Sequence, residues 1–416
     1  MSAIDDRVPG AIDLQDERVL RAQGVVGHLR AAWGRARGGD LGSIPVVVGL
    51  LVVWGVFQSL NPAFLSSANL VNLAMQCAAI GTISLGVVFL LLVGEIDLSV
   101  GSMSGLAGAV MAIFFVNHSV PLVLSLALAL LAAALVGSIY GLLYVKFGVP
   151  SFVITLAGLL ALLGLQLRLL GTVGSINVPY TSWLVAFAQS AFLPGWAAYL
   201  LVLLAGAALF AVGWSRRRGR RRAGLSAPSL IAVCVRPVLV VLFLGYVASV
   251  LNQTRGVGYM FVLFIALVVV ADYALRRTAW GRSLRAIGGN PEAARRAGIK
   301  VNRVYVSAFV ACTSLAAVGG ILSAARLAAV NQGSGTGDVN LNAIAAAVIG
   351  GTSLFGGRGS AWSAVVGVVV IMSISSGLTL LNLDSSIRFM MTAAVLLLAV
   401  IVDSLSRRSR KSHGRS

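Results

Sequence analysis

Residues 120–145 read VPLVLSLALALLAAALVGSIYGLLYV, with no charged side chain anywhere in the run. That exceeds the ~20 residues a helix needs to cross a bilayer. In lipid the backbone must satisfy its own hydrogen bonds, so a span is either a helix or a strand of a closed barrel. Barrel strands alternate polar and apolar side chains, whereas Val120–Val145 is apolar on every face. It therefore reads as a transmembrane helix. Working outward, similar runs occur at Ile44–Leu60, Leu73–Gly94, Ser102–Val116, Phe152–Leu170, Trp196–Trp214, Leu230–Leu251, Tyr259–Leu275, Val304–Leu327, Leu341–Gly351, Ala361–Leu381 and Met390–Leu405. The expected fold is an all-α, polytopic bundle of about 10–12 spans. Leu341–Gly351 is too short to cross as an ordinary helix and reads as a half-helix.

Composition agrees. Hydrophobic residues make up 58% of the chain and charged residues 11%, with a mean hydropathy of +0.94. Soluble domains carry roughly 25% charge, so this much apolar surface needs lipid as a partner. The net charge of +19 does not point to nucleic acid, because the basic residues lie between apolar runs, as orientation signals do. With the N-terminus inside and the spans alternating, all but four of the 32 lysines and arginines fall on the inner side. Arg168, Arg255, Arg326 and Arg388 are the exceptions. The bias predicts an even number of crossings and both termini in the cytoplasm. Residues 1–43 form a cytosolic segment, either an amphipathic helix on the membrane surface or a disordered tail. Residues 44–405 form the membrane domain, and 406–416 a basic cytosolic tail.

Nothing in the sequence performs covalent chemistry. His28, His118 and His413 all lie outside the spans, and no G-x-x-x-x-G-K-[ST] phosphate cradle is present. No catalytic residue, cofactor or metal site is expected, and any ATP must be hydrolysed by another chain. The polar interruptions are more informative. GEIDLSVGS (94–102) and GGTSLFGGRGS (350–360) each break an apolar run with glycine, small hydroxyls and charge, and paired broken segments point to a transporter's pathway. Glu95, Asp97, Ser99, Thr352 and Ser353 are the pathway or gate candidates. Acids in apolar stretches are costly and usually paired or functional. Glu95 and Asp97 either line the route or belong to a short interfacial turn in which Asp97 caps the next helix.

The segment 276–303 joins two apolar runs on the expected inner side. Within it, Asn290, Pro291, Glu292, Ala293, Ala294, Arg295, Arg296, Ala297 and Gly298 spell a complete short helix. Asn290 suits the N-cap, Pro291 the first turn, Glu292 the positive end of the dipole, and Gly298 the stop. Ala293, Ala294 and Ala297 offer a small-residue face with arginines beside it. So short a helix is marginal alone, and it suits packing into a groove on a soluble motor.

Three stretches, GEIDLSVGSM (94–103), AIGGNPEAARRAGIKVNRV (286–304) and LNAIAAAVIGGTSLFGGRGS (341–360), resemble the permeases of ATP-binding-cassette sugar importers of the ribose/xylose type. The likeness is greatest to the xylose-type members, which share the long central insertion with its Pro179-Tyr180-Thr181 stretch and its basic cluster. The family pattern often has glycine where this chain has Glu95, and xylose-type members also carry an acid there. The resemblance implies a bacterial inner-membrane protein that pairs as a homodimer. It also implies a tandem ATP-binding-cassette ATPase on the cytosolic side and a periplasmic or extracellular sugar-binding protein. Asn290–Gly298 would then be the coupling helix that carries ATPase closure to the membrane, with no nucleic-acid partner. The competing readings are a branched-chain amino-acid permease of the same superfamily and an ion-coupled secondary sugar carrier. A carrier would want more intramembrane acids and would need no capped cytosolic helix. Single cysteines introduced at positions 290–298 are expected to react with a membrane-impermeant maleimide only in inside-out vesicles. Labelling of intact cells would overturn the topology.

Overall fold

A computed structural model describes residues 44–384 apart from 226, with scattered positions between 386 and 397. The expected segment 1–43, the tail 406–416 and nearly all of the span expected at Met390–Leu405 lie outside the described residues. The described residues fall into two compact units, one running to Phe192 and resuming at Gly258, the other comprising Leu193–Val257.

The first unit opens with helices α1 (Ile44–Leu60), α2 (Ser67–Leu92), α3 (Val100–Ala112, prolonged by a π-turn over Ile113–Asn117), α4 (Leu122–Phe147) and α5 (Ser151–Leu170). Strand β1 (Ser175–Asn177) and a short helix α6 (Trp183–Gln189) follow. The helix α2 starts six residues before the expected Leu73 because Ser66 caps it, its hydroxyl accepting from the Asn69 N–H at 3.3 Å. Helix α4 stops at Gly148, which takes a left-handed φ of 65°.

The second unit is an antiparallel helical hairpin of α7 (Gly195–Arg222) and α8 (Leu230–Leu251). Glycines on α7 let α8 approach, Gly206 facing Val241 and Gly213 facing Val233. Helix α7 continues well past the expected end at Trp214, through the whole arginine run. Arginine is a good helix former, and basic side chains at a C-terminus complement the helix dipole.

The first unit resumes with α9 (Tyr259–Arg277), α10 (Ala279–Gly289), α11 (Pro291–Arg296) and α12 (Val301–Leu327). Strand β2 (Ala329–Asn331) pairs antiparallel with β1, Ile176 opposite Val330. Helices α13 (Val339–Ile349) and α14 (Ala361–Leu380) complete it. Among the described residues nine helices are long and apolar enough to cross a membrane, and Val46–Leu60 and Val339–Ile349 are shorter apolar helices. The chain is thus a polytopic all-α membrane bundle, with α13 the half-length helix its sequence predicts.

Helix α12 is the centre of the first unit. It touches α2, α3, α4 and α10, and most of its length is buried. Lipid is as apolar as leucine, so helices in a membrane associate through close backbone approach and interhelical hydrogen bonds rather than hydrophobic burial. Both devices are present. A Cβ on Gly320 would meet the Ser104 backbone of α3. The Thr313 hydroxyl donates to the Ala133 carbonyl of α4 at 2.8 Å, and the Trp54 indole of α1 donates to Ser373 of α14 at 2.9 Å. Cys77, Cys234 and Cys312 all lie in or beside apolar runs; Cys77 and Cys312 are buried thiols and Cys234 is half-buried.

Gly320→Val is expected to destabilise the bundle by about 1–3 kcal/mol or more through overpacking. Gly164→Ala, where nothing lies within 4 Å of the added carbon, should stay within about 0.5 kcal/mol. Thermal unfolding in detergent, followed by loss of the monodisperse peak, distinguishes the two.

Candidate functional site

The segment between α2 and α3 is not a loop at the surface of the bundle. Residues 93–99 climb inside it. Glu95 reaches Tyr144 on α4, the phenol donating to Glu95 Oε1 at 2.6 Å. Asp97, only 1% exposed, faces Cys312 of α12, with Sγ 4.0 Å from Oδ2. At 1.5 Å per residue, Cys312 lies about 16 Å along α12 from its start at Val301. Residues 93–99 are therefore irregular backbone set within the bundle ahead of α3.

Irregular backbone inside a membrane bundle must find partners to replace the lost helical ones. Here side chains supply them. The Leu98 N–H donates to Thr155 Oγ1 of α5 at 3.1 Å, and the Leu98 carbonyl accepts from Asn340 Nδ2 at 2.8 Å. The Ser99 N–H and hydroxyl both donate to Asp97 Oδ1, at 2.7 and 2.6 Å. Asp97 does not cap α3 as expected. It closes a turn around Ser99, the N-cap residue, whose own side chain makes no cap bond. Asp97 has no cationic partner among the described residues. Its Oδ1 is satisfied by the two Ser99 donors, and it sits beside the positive end of α3.

A second irregular segment approaches from the opposite end of the bundle, and the sequence reading missed it. After β2 the chain runs Gln332-Gly333-Ser334-Gly335-Thr336-Gly337-Asp338 into α13. Gln166, fully buried on α5, holds it by donating from Nε2 to the Asn331 and Ser334 carbonyls at 3.1 and 2.9 Å. Gly335 packs against Gly101 and Gly105 of α3 so closely that a Cβ there would meet backbone. The two broken spans thus meet at Gly101–Gly335 and at Leu98–Asn340. The signal was available, since 332–338 combines glycine, small hydroxyls and an acid, as 94–102 does.

The stretch 350–360 has a different place. It is the turn between α13 and α14, and it abuts the end of α2 rather than the meeting point of the broken spans. The Gly357 N–H donates to the Leu92 carbonyl at 3.0 Å, and Gly356 lies against Gly94. Thr352 and Ser353 are buried. Ser353 accepts from the Phe355 N–H at 3.2 Å and shapes the turn, while the Thr352 hydroxyl has no partner. The five gate candidates therefore separate into Glu95, Asp97 and Ser99 on the climbing segment and Thr352 and Ser353 in the turn at its foot.

The same foot receives the α10–α11 segment. Helix α10 buries Gly281, Leu284 and Ile287. Trp280 stands edge-on to Phe89 of α2, with ring centroids 5.2 Å apart, and its indole donates to Ser307 of α12 at 2.8 Å. A Cβ on Gly288 would meet both the Leu92 carbonyl and the Gly357 nitrogen, so α10 is seated where the turn and the end of α2 join. Helix α11 is capped as its sequence predicts. Asn290 Oδ1 accepts from the Ala293 N–H at 3.0 Å. At the other end the Ile299 N–H bonds the Ala294 carbonyl and the Gly298 N–H the Arg295 carbonyl, with Gly298 at φ 82°. Only Ala294 of the expected alanine face is buried. Pro291, Glu292, Ala293, Arg295, Arg296 and Ala297 are exposed, and Glu292 pairs with Arg295 at 2.9 Å in the open.

Comparison with known proteins shows the family. Residues 69–400 match the family described as branched-chain amino acid transport system / permease component. The chain is 37% identical over 346 residues to the xylose transport system permease protein XylH of Escherichia coli, covering 83% of this chain and 87% of that protein. It is 32% identical over 365 residues to XylH of Haemophilus influenzae, covering 87% and 96%. It is 32% identical over 359 residues to the ribose import permease protein RbsC of E. coli, covering 86% and 92%. No solved structure matches. A multi-pass bundle whose broken spans meet inside it, matched by this profile over most of its length, belongs to the permease-component family of ATP-binding-cassette importers.

Proposed function

We propose that this chain is the membrane subunit of a monosaccharide importer, with a xylose-like pentose as the favoured cargo, and that two copies form the pathway. A permease of this family works with a separate ATPase and a substrate-binding protein. The sugar assignment is supported by the relatives named for xylose and ribose. Buried acceptors without a partner, Asn340 Oδ1 and Asn342 Oδ1 beside the meeting point of the broken spans, suit the hydroxyl donors of a sugar. The branched-chain amino-acid reading rests on the family's description alone.

One observation carries the mechanism: α10 is seated against Leu92 and Gly357, and α11 projects from it with nearly all its side chains exposed. In this reading α11 is the coupling helix, lying on the cytoplasmic side with both chain termini, and the ATPase grips its exposed face. Closure of the ATPase displaces α10, and α10 moves the end of α2 together with the 350–360 turn. The climbing segment, latched to α4 by Glu95–Tyr144, then shifts against the segment 332–338. That exchange opens the route alternately to the two sides, as rigid-body motion around a fixed site.

The Glu292–Arg295 pair is exposed, and such pairs contribute about 0–1 kcal/mol. Glu292→Ala with Arg295→Ala should therefore leave thermal stability within about 1 kcal/mol while abolishing ATP-driven sugar uptake in proteoliposomes containing the ATPase and binding protein. Normal uptake would sink the coupling role, and uptake driven by a proton gradient without ATP would favour a secondary carrier. Tyr144→Phe and Glu95→Gln should each slow uptake. In thermal unfolding their effects should be non-additive by about 1.5–3 kcal/mol, the range for a hydrogen bond to a charged group. Additive effects would mean the latch is not a unit.

A further inference from the structure

The arginine end of α7 is not used by any step above. Helix α7 has 28 residues and is about 42 Å long at 1.5 Å per residue. Its apolar part, Gly195–Trp214, matches the ~30 Å hydrocarbon thickness. The run Arg216–Arg222 therefore emerges at headgroup depth, with Trp214 at the boundary where tryptophan is favoured.

The arginines do not simply fan into solvent. Trp214, Arg217, Arg218, Arg221 and Arg222 line a cavity of about 330 Å³. Arg217 is only 7% exposed, yet its Nε and Nη1 have no hydrogen-bond partner among the described residues. Its guanidinium lies 5.9 Å from the Trp214 ring centroid, a cation–π arrangement that leaves the planar donors free. Arg217–Arg221 and Arg218–Arg222 are like-charge i,i+4 pairs, which destabilise a helix. A topological signal alone would not need its charges stacked around one hollow. Among the described residues no acidic side chain lines the cavity.

We propose that this cavity binds the phosphate headgroup of an anionic phospholipid. Guanidinium donors match phosphate oxygens in bidentate geometry, and a buried Arg217 gains in the bound state the partners it lacks here. The choice of lipid over free phosphate comes from what adjoins the cavity. Phe210 and Trp214, stacked with ring centroids 5.9 Å apart on the face that carries Arg217, Arg218 and Arg221, are exposed and apolar, a surface for the acyl chains that inorganic phosphate does not possess.

The test uses the purified full chain in detergent, with the thermal midpoint measured against added phosphatidylglycerol, phosphatidylethanolamine or inorganic phosphate. Phosphatidylglycerol should raise the midpoint of the wild type, and the other two should not. Each surface arginine is worth about a five-fold change in affinity for anionic lipid. Arg221→Gln with Arg222→Gln, both exposed and tolerant of change, should thus need roughly 25-fold more phosphatidylglycerol for the same shift. Arg217→Gln should abolish the response, and if that variant fails to fold the double variant decides. An equal effect of phosphatidylethanolamine, full stabilisation by inorganic phosphate, or a wild-type response in the double variant overturns the proposal. So does loss of ATPase binding in the double variant with its lipid response intact, which would make the cluster a protein-docking surface.

Discussion

The structure depends on one constraint: backbone that leaves the helix inside a lipid-embedded bundle must be given hydrogen bonds by something else. Two stretches leave it, 93–99 and 332–338, and a small set of polar side chains answers them. Thr155 and Gln166 on α5, Asn340 at the start of α13, and Asp97 itself replace ladder bonds that neither stretch can make alone. An unmet group at such depth costs several kcal/mol, so these few residues fix where the irregular backbone can lie. They also fix the two stretches to each other, because Asn340 belongs to one break and bonds the carbonyl of the other.

Mobility and stability are divided accordingly. The centre of the unit is a tight seam around α12, where glycine allows backbone to touch backbone. The foot of the climbing segment is held differently, by one carbonyl–amide bond from Leu92 to Gly357, by the fit of Gly288, and by the Glu95–Tyr144 bond. These are few and directional, and they tie the α10–α11 segment to the foot, while Trp280 ties α10 to α12 through its bond to Ser307.

Much of this was legible in the sequence. The periodicity-free apolar runs gave the helices, and α1 and α8 begin and end where the composition changes. The capped helix at Asn290–Gly298 was legible because capping is local chemistry: Asn, Pro and Gly each act within a few residues. The meeting of the broken spans was not, because it joins residues 242 positions apart. Thr155 and Gln166 look like isolated polar residues in apolar helices until their partners are known. The stretches 94–102 and 350–360 touch only at their near ends, Gly356 against Gly94, and it is 332–338 that packs on Gly101. Both 350–360 and 332–338 are glycine-rich, but the 350–360 glycines serve a tight turn and the approach of α10, whereas those of 332–338 serve the approach of α3. Composition cannot tell the two uses apart. Of the alanine face, Ala294 packs on the chain's own membrane domain, and Ala293 and Ala297 stay exposed.

The distance between Leu98 and Asn340 also bears on how the molecule is made. The carbonyl of Leu98 and the packing partners of α2, α3 and α4 are supplied by segments synthesised much later, and Thr313 reaches back 180 residues to Ala133. At about 5–20 residues per second, the early helices wait roughly ten to fifty seconds in the membrane before the chain that completes them leaves the ribosome. Through that interval the Leu98 carbonyl is without its Asn340 donor, so the first third of the polypeptide is complete only when the last third is in place.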